Sequence, residues 1–357
     1  MFVLDSHCDT PSQILRLRNL TKDNDHAHVD FPKMKRGGVD GVFFALYVPA
    51  SYDSDPEGGF EYACRLLTGV EKAVEGRRDL VSIVRSSEEA YSNKADSRIS
   101  LFLGLENGSP ISTSFERLAY FHDKGIRYVT LCHSGDNQIC DSCASPVGRW
   151  GGLSPFGREV VAEMNRLGML VDVSHISDAS FFDVIECSAK PVVATHSCCR
   201  SLSAHPRNMS DEMIRLLADA GGVIQINFYP LFLDAGFSRI LSRSGIIERG
   251  ERIEREFIAD PGNPVRRAAW NMIQDELMAL SRPSYKLIVD HIEHVVELVG
   301  IDHVGIGSDF DGIEVTPEGL EDISMMPVIF DEMRRRGYTE ADICKVAGEN
   351  FFRVMNQ

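Results

Sequence analysis

The sequence predicts an α/β protein, a (β/α)8 TIM barrel with a helical insertion, as one domain over residues 1–357. Three observations predict it. Short apolar runs alternate with helix-compatible stretches of about ten or more residues, the pattern of parallel strands joined by crossover helices. About eight such units fill the chain, which suits closure into a barrel better than an open sheet. Finally, residues that bind metals or move protons follow many of the strands. In a doubly wound sheet they would gather at one switch point, with a GxGxxG after the first strand, and that motif is absent here.

The first strand is the apolar run Phe2-Val3-Leu4, which leads into His7-Cys8-Asp9. In extended backbone, residues two apart face the same way, so His7 and Asp9 converge like two ligands of a divalent metal. Pro11 to His28 is polar and helix-compatible. Further strands are expected at 41–48, 80–84 and 99–105, the last ending at Glu106. Helices are expected at 58–78 and at 86–95, the second opened by a cap at Ser86. Residues 115–124 form a helix stopped by Gly125, and strand 127–132 ends at His133.

Residues 134–153 are a long loop without periodicity, and a loop of that length in a compact domain is usually functional. Helix 156–167 precedes strand 169–173, which ends at Ser174-His175. Helix 178–188 precedes strand 191–195, which ends at His196. Helix 211–220 and strand 222–228 follow. Residues 236–283 are charged and helical, broken by Pro261-Gly262-Asn263-Pro264, and read as an insertion spanning approximately 234–283. Helix 284–299, strand 303–307 ending at Ser308-Asp309, and helices near 316–335 and 339–355 complete the order.

The formal charge of −16, from 37 basic and 53 acidic residues, argues against a nucleic acid or an anionic membrane as partner. No apolar run has the length of a membrane span, and neither a signal segment nor a lipid anchor is visible, so a cytoplasmic location is expected. The nine cysteines are expected to be reduced thiols, with Cys198 and Cys199 as small buried apolar residues. Cys140 and Cys143 form a lone CxxC with no second pair.

All strand ends of a parallel barrel emerge on one face. That gathers His7, Asp9, Glu106, His133, His175, His196 and Asp309, enough donors for two divalent ions. Glu106, with two carboxylate oxygens, is the candidate bridge. Two such ions share a hydroxide and present it as a nucleophile, since metal binding lowers the pKa of water to roughly 7. The other histidines lack this placement: His26, His28 and His122 are expected on the surface, and His291 and His294 on a partly exposed helix face. His303 starts its strand and so belongs to the opposite end of the barrel. Arg207, in the loop after the His196 strand, suits a carboxylate.

The stretches DSHCDTP (5–11), GLENG (104–108), YVTLCHS (128–134) and GLSPFGREVVAEMNRLGMLVDVSH (152–175) resemble the membrane (renal) dipeptidase family of zinc peptidases, within the amidohydrolase-type barrels. THS (195–197), HPRN (205–208) and GSDFDG (307–312) continue the likeness in family order. The resemblance implies two zinc ions per chain, one on His7 and Asp9, the other on His175 and His196, with Glu106 between them. It implies that His133 bonds the oxyanion, that Arg207, with Asn208 beside it, takes a dipeptide's terminal carboxylate, and that Asp309 is the acid/base. Free dipeptides, including those with a C-terminal D-residue, are the implied substrates, and a homodimer the implied assembly. The animal enzymes are secreted and membrane-anchored, which this sequence does not suggest. The 234–283 segment matches no family motif, so side-chain preference stays open. An N-acyl-amino-acid deacylase or lactonase on the same barrel is the alternative. A catalytically silent scaffold is disfavoured because every expected position is filled.

Overall fold

Strands buried on both faces need no polar alternation, and those of this chain form one parallel sheet that nearly closes on itself. The structure, a computed structural model, describes residues 1–357. Its strands are β1 (Leu4–Cys8), β2 (Gly41–Tyr47), β3 (Val81–Ile83), β4 (Ile99–Glu106) and β5 (Ile126–Thr130). They continue with β6 (Leu170–Asp172), β7 (Val193–Ser197), β8 (Val223–Ile226) and β9 (Val304–Ile306). The order around the ring is β1-β2-β4-β5-β6-β7-β8-β9. The seam lies between β1 and the chain after β9, where Asp9 N donates to Phe310 O at 2.9 Å and Asp309 N to His7 O at 3.0 Å.

The expected strand at 80–84 exists as β3 but is not a stave of the barrel. It pairs with Ile99–Leu101, the first part of β4, whereas β5 pairs only with Leu103–Glu106. The late entry of β5 leaves one edge of β4 open, and β3 covers it.

Helix ends follow the local signals. Ser86, Ser154 and Ser210 accept hydrogen bonds from Glu89 N, Gly157 N and Met213 N. Gly168, at φ 74°, ends the helix Pro155–Leu167 in the left-handed conformation. Two expectations shorten. Between residues 11 and 28 only Thr10–Leu15 is helical, because the chain turns at Leu17 with φ 63°. Between 316 and 335 the helix begins only at Pro327.

Inside the barrel, Phe43, Phe102 and Tyr128 pack with Leu170, Val193 and Val223, and Phe351 and Phe352 of the last helix join that cluster. A larger shell of apolar side chains lies between the strands and the outer helices. The 234–283 segment holds helices Phe237–Ser244, Ile246–Ala259 and Pro264–Met278. They share an apolar cluster of their own, built on Phe237, Phe257, Trp270, Ile273 and Leu277 with Val315. No helix is long and apolar enough to cross a membrane.

Candidate metal centre and active-site cavity

The strand ends bring the expected ligand residues to one buried point. Glu106, at the end of β4, is 2% exposed. Its Oε1 lies 3.1 Å from His175 Nε2 and 3.4 Å from His196 Nε2, with His133 Nε2 at 3.9 Å. Its Oε2 lies 3.4 Å from His7 Nε2. Asp9 Oδ2 is 3.8 Å from the same His7 nitrogen. One carboxylate thus faces two sets of imidazoles, one with each oxygen.

Backbone strain helps to aim these groups. His175 and Asp309 sit at φ 71° and 63°, in the left-handed region that side-chain-bearing residues avoid. Each sits three residues beyond the end of its strand, and such a conformation costs on the order of 1–3 kcal/mol and survives where its surroundings hold it. A register irregularity between Asp5 and Cys8 shifts the end of β1 as well. Asp5 anchors that end to the β9 side, accepting from Ser308 N at 2.8 Å and Ser308 Oγ at 2.5 Å.

A second layer, not singled out in the sequence, holds the rings. Tyr128 OH is 2.8 Å from His7 Nδ1, and Thr195 Oγ1 is 2.7 Å from His196 Nδ1. Asp172 Oδ2 accepts from Thr130 Oγ1 at 2.5 Å and from Thr195 Oγ1 at 2.7 Å. Because the Thr195 hydroxyl gives its proton to Asp172, it accepts from His196 Nδ1–H, which leaves His196 Nε2 as a lone pair facing the site. Such bonds orient ligand histidines and set their tautomer. The inward alternation of β5 marks Tyr128 and Thr130 as a pair, a signal available in the sequence.

The electrostatics favour cations here. Burial, then Glu106, pushes Asp9 up to about 7. Burial, then Asp9, pushes Asp309 up to about 7, against a 2.8 Å hydrogen bond from Asn227 Nδ2. Burial pulls His7 down, but Glu106 and Asp9 outweigh it and the net direction is up. Burial, then Arg207, holds His175 well below its ordinary value and lowers His133 to about 3. His196 is held well below its ordinary value by burial, then His7. His7 Nε2, Asp9 Oδ1 and Glu106 Oε2 are buried without a hydrogen-bond partner. Buried carboxylates and lone-pair nitrogens without partners are costly unless a cation takes them up. The ligand atoms of His7, Glu106 and His196 lie within 4.8 Å of one another, as do those of Glu106, His133 and His175, and those of His7, Asp9 and Asp309. This donor set fits divalent metal.

Above it opens a cavity of about 640 Å³, lined by Asp9, Glu106, His133, His175 and Asp309. Glu254, Ile258, Trp270 and Gln274 of the insertion line it too, as do Arg16, Arg18 and His28 of the loop after β1. His28 is therefore not a surface residue: its Nδ1 accepts from Asp311 N at 2.9 Å, and burial lowers its pKa to about 4. His291 is buried as well, because its helix packs under the loop after β7. His303 Nδ1 donates to Gly222 O at 2.9 Å, away from the site.

Arg207 and Asn208 stand behind the cavity wall. Arg207 Nη1 donates to Ser197 Oγ and Nη2 to His196 O, both at 2.8 Å, while Nε is buried and unpartnered. Asn208 Nδ2 donates to Ser203 O at 2.9 Å and Phe232 O at 2.8 Å, so its amide braces the loop. In the 134–153 loop, Asp141 accepts from Arg149 N, Trp150 N and Gly152 N, which makes the segment an ordered structure. Cys140 and Cys143 are free thiols, like the other seven.

Known proteins bear on this site. The sequence profile of the membrane dipeptidase family, peptidase family M19, matches residues 1–357. Dipeptidase verJ of Clonostachys rogersoniana is 31% identical over 338 residues, covering 92% of this chain and 76% of that protein. Dipeptidase aclJ of Aspergillus oryzae is 30% identical over 351 residues, covering 96% and 73%. Among solved structures, a metallopeptidase from Rhodobacter sphaeroides, liganded with a phosphinate mimic of the dipeptide L-Ala-D-Ala, superposes with a TM-score of 0.80 at 26% identity, covering 100% of this chain and 99% of that one. The probable dipeptidase PvdM from Pseudomonas aeruginosa superposes with a TM-score of 0.83 at 26% identity, covering 99% and 94%. With its barrel, its His/Glu donor set and a family match along its whole length, the chain belongs to the membrane dipeptidase family and is a metallo-dipeptidase.

Proposed function

We propose that this protein hydrolyses the peptide bond of free dipeptides, including those with a D-residue at the C-terminal position, on two zinc ions. The observation that carries the reading is Glu106, whose two oxygens face different imidazoles. His7 and Asp9 would hold one ion, His175 and His196 the other, and Glu106 both. Such ions supply Lewis acidity toward the scissile carbonyl and acidify water at neutral pH.

The chain's own residues do the rest. Asp309, raised to about 7 first by burial, sits near the pH at which a carboxyl can both take and return a proton. It collects the proton released in the attack and gives it to the leaving amine. Asn227 Nδ2 holds the carboxyl in place, at 2.8 Å from Oδ2. His133, kept neutral by burial, donates a hydrogen bond to the developing oxyanion. Arg207, held behind the cavity wall by Ser197 and His196, would turn its guanidinium to the terminal carboxylate and so limit substrates to short chains. The dipeptide mimic in the Rhodobacter relative supports the D-residue part of the reading.

The test is amino-acid release by zinc-supplemented protein from matched L-L, L-D and D-L dipeptides, with and without a blocked carboxylate. Release from L-L and L-D, but from none of the blocked forms, is expected. No release from any of them would shift the reading to an N-acyl-amino-acid deacylase or lactonase.

A further inference from the structure

The loop after β1 carries an arginine into the cavity and gives it only a long ion pair and no hydrogen bond. Arg18 lines the cavity, yet its side chain is only 9% exposed. Its guanidinium donates no hydrogen bond to a protein atom, and the nearest anion is Asp311 Oδ1 at 3.7 Å. That carboxylate is already committed: Oδ1 accepts from His28 N at 3.0 Å and Oδ2 from Thr10 Oγ1 at 2.8 Å. Neighbouring charges do not satisfy Arg18 either. Arg16 holds Glu254 at 3.0 Å, and Arg267 sends Nη2 to Arg16 O and Pro261 O. Two guanidinium groups, those of Arg16 and Arg18, therefore line this side of an otherwise acidic cavity.

A guanidinium has five donors in a planar fork, and those of Arg18 open onto the cavity instead of a protein acceptor. Unspent donors facing a cavity point to an anionic group on the ligand, and the fork matches a carboxylate bidentately. The position says which one. Asp311 follows Asp309 by two residues and Thr10 follows Asp9, so Arg18 borders the side of the cavity built by the ends of β1 and β9. Arg207 stands on the β7 side. A dipeptide whose terminal carboxylate meets Arg207 extends its first residue toward Arg18.

We infer that Arg18 is a specificity residue that binds the side-chain carboxylate of an acidic first residue, so that Glu-Xaa and Asp-Xaa dipeptides are preferred substrates. The inference rests on the dipeptidase reading above. Its test compares kcat/KM for Glu-Ala, Gln-Ala, Ala-Glu and Ala-Gln in the zinc-supplemented protein. Glu-Ala should exceed Gln-Ala by about tenfold or more, through a lower KM, which corresponds to about 1.4 kcal/mol. In Arg18→Gln that ratio should fall toward one, and in Arg18→Lys part of it should remain. Equal rates for Glu-Ala and Gln-Ala in the unmodified protein would overturn the inference without any variant. A preference for Ala-Glu over Ala-Gln instead would overturn the assigned position, and a ratio that survives in Arg18→Gln would overturn the residue. No cleavage of all four peptides would overturn the dipeptidase reading itself, a result distinguishable from the others.

Discussion

The phenol oxygen of Tyr128 lies 2.8 Å from Nδ1 of His7, a residue 121 positions away. The Tyr128 ring is buried in the lower barrel core, and its hydroxyl is the polar end that reaches the candidate metal-ligand layer. Removing that hydroxyl frees His7 to rotate. Tyr128→Phe should weaken metal binding by about 10–100-fold, the usual cost of losing such a partner. Competition with a chelator, read as metal retained per chain, checks this. Unchanged retention would mean that packing alone orients His7.

Gly104 makes room for that tyrosine. A methyl group at Gly104 would collide with the ring of Tyr128, whose atoms are the three nearest. The ring is wedged against Phe43 as well, with centroids 5.1 Å apart, so it has little freedom to retreat. Gly104→Ala should cost about 1–3 kcal/mol of stability through overpacking. It should also reproduce the metal-binding loss of Tyr128→Phe. Denaturant titration together with the chelator assay measures both, and a stable variant with normal metal retention would contradict the wedge.

Asp309→Asn keeps the shape of the side chain and an oxygen for Asn227 to donate to, but removes the proton carrier. Turnover should fall by about 10²–10⁴-fold with a much smaller change in KM. Steady-state kinetics at matched metal content decide it. A turnover within about twofold of the unmodified protein would remove Asp309 from the proposed role.

His291 gives the fold a pH limit outside the site. Its Nδ1 accepts from Cys199 N at 3.1 Å, which only the neutral ring can do, while Nε2 donates to Leu233 O at 3.2 Å. Burial lowers its pKa from 6.5 to about 4, against the Leu233 bond. The unfolded histidine takes up a proton as pH falls through 6.5, the folded one only near 4. In that window the unfolded state binds more protons, so stability falls with falling pH and levels off below it. By pH 5 the loss from this group should be about 2 kcal/mol relative to neutral pH. Urea unfolding at both pH values, for the unmodified protein and His291→Gln, isolates it: the variant should lose less on acidification. Equal losses would show that His291 does not titrate between the two states.

Much of the site was legible because a parallel barrel converts sequence position into spatial position. Whatever follows a strand lies at the mouth, so His7, Asp9, Glu106, His133, His175, His196 and Asp309 could be gathered from strand boundaries alone. The same reasoning misplaced residues whose loops have no period. His28 looked like a surface residue because nothing local says that its loop returns to Asp311. His291 looked half-exposed because helical spacing shows a face but not what covers it. Strand 80–84 looked like a stave because pairing partners are not written in an apolar run.

The sequence by itself determined the barrel, apart from the 80–84 run that is no stave of it, and the identity of the donor residues at its mouth. These depend on the alternation of short apolar runs with helices, which is local. Only the tertiary structure decided which groups hold those donors and what else shares their cavity. Tyr128 under His7, Thr195 and Asp172 beside His196, Asn227 on Asp309 and the unspent guanidinium of Arg18 are contacts between segments distant in the chain. Each was set by which buried polar atoms found partners once the core had packed, and that depends on the whole fold at once.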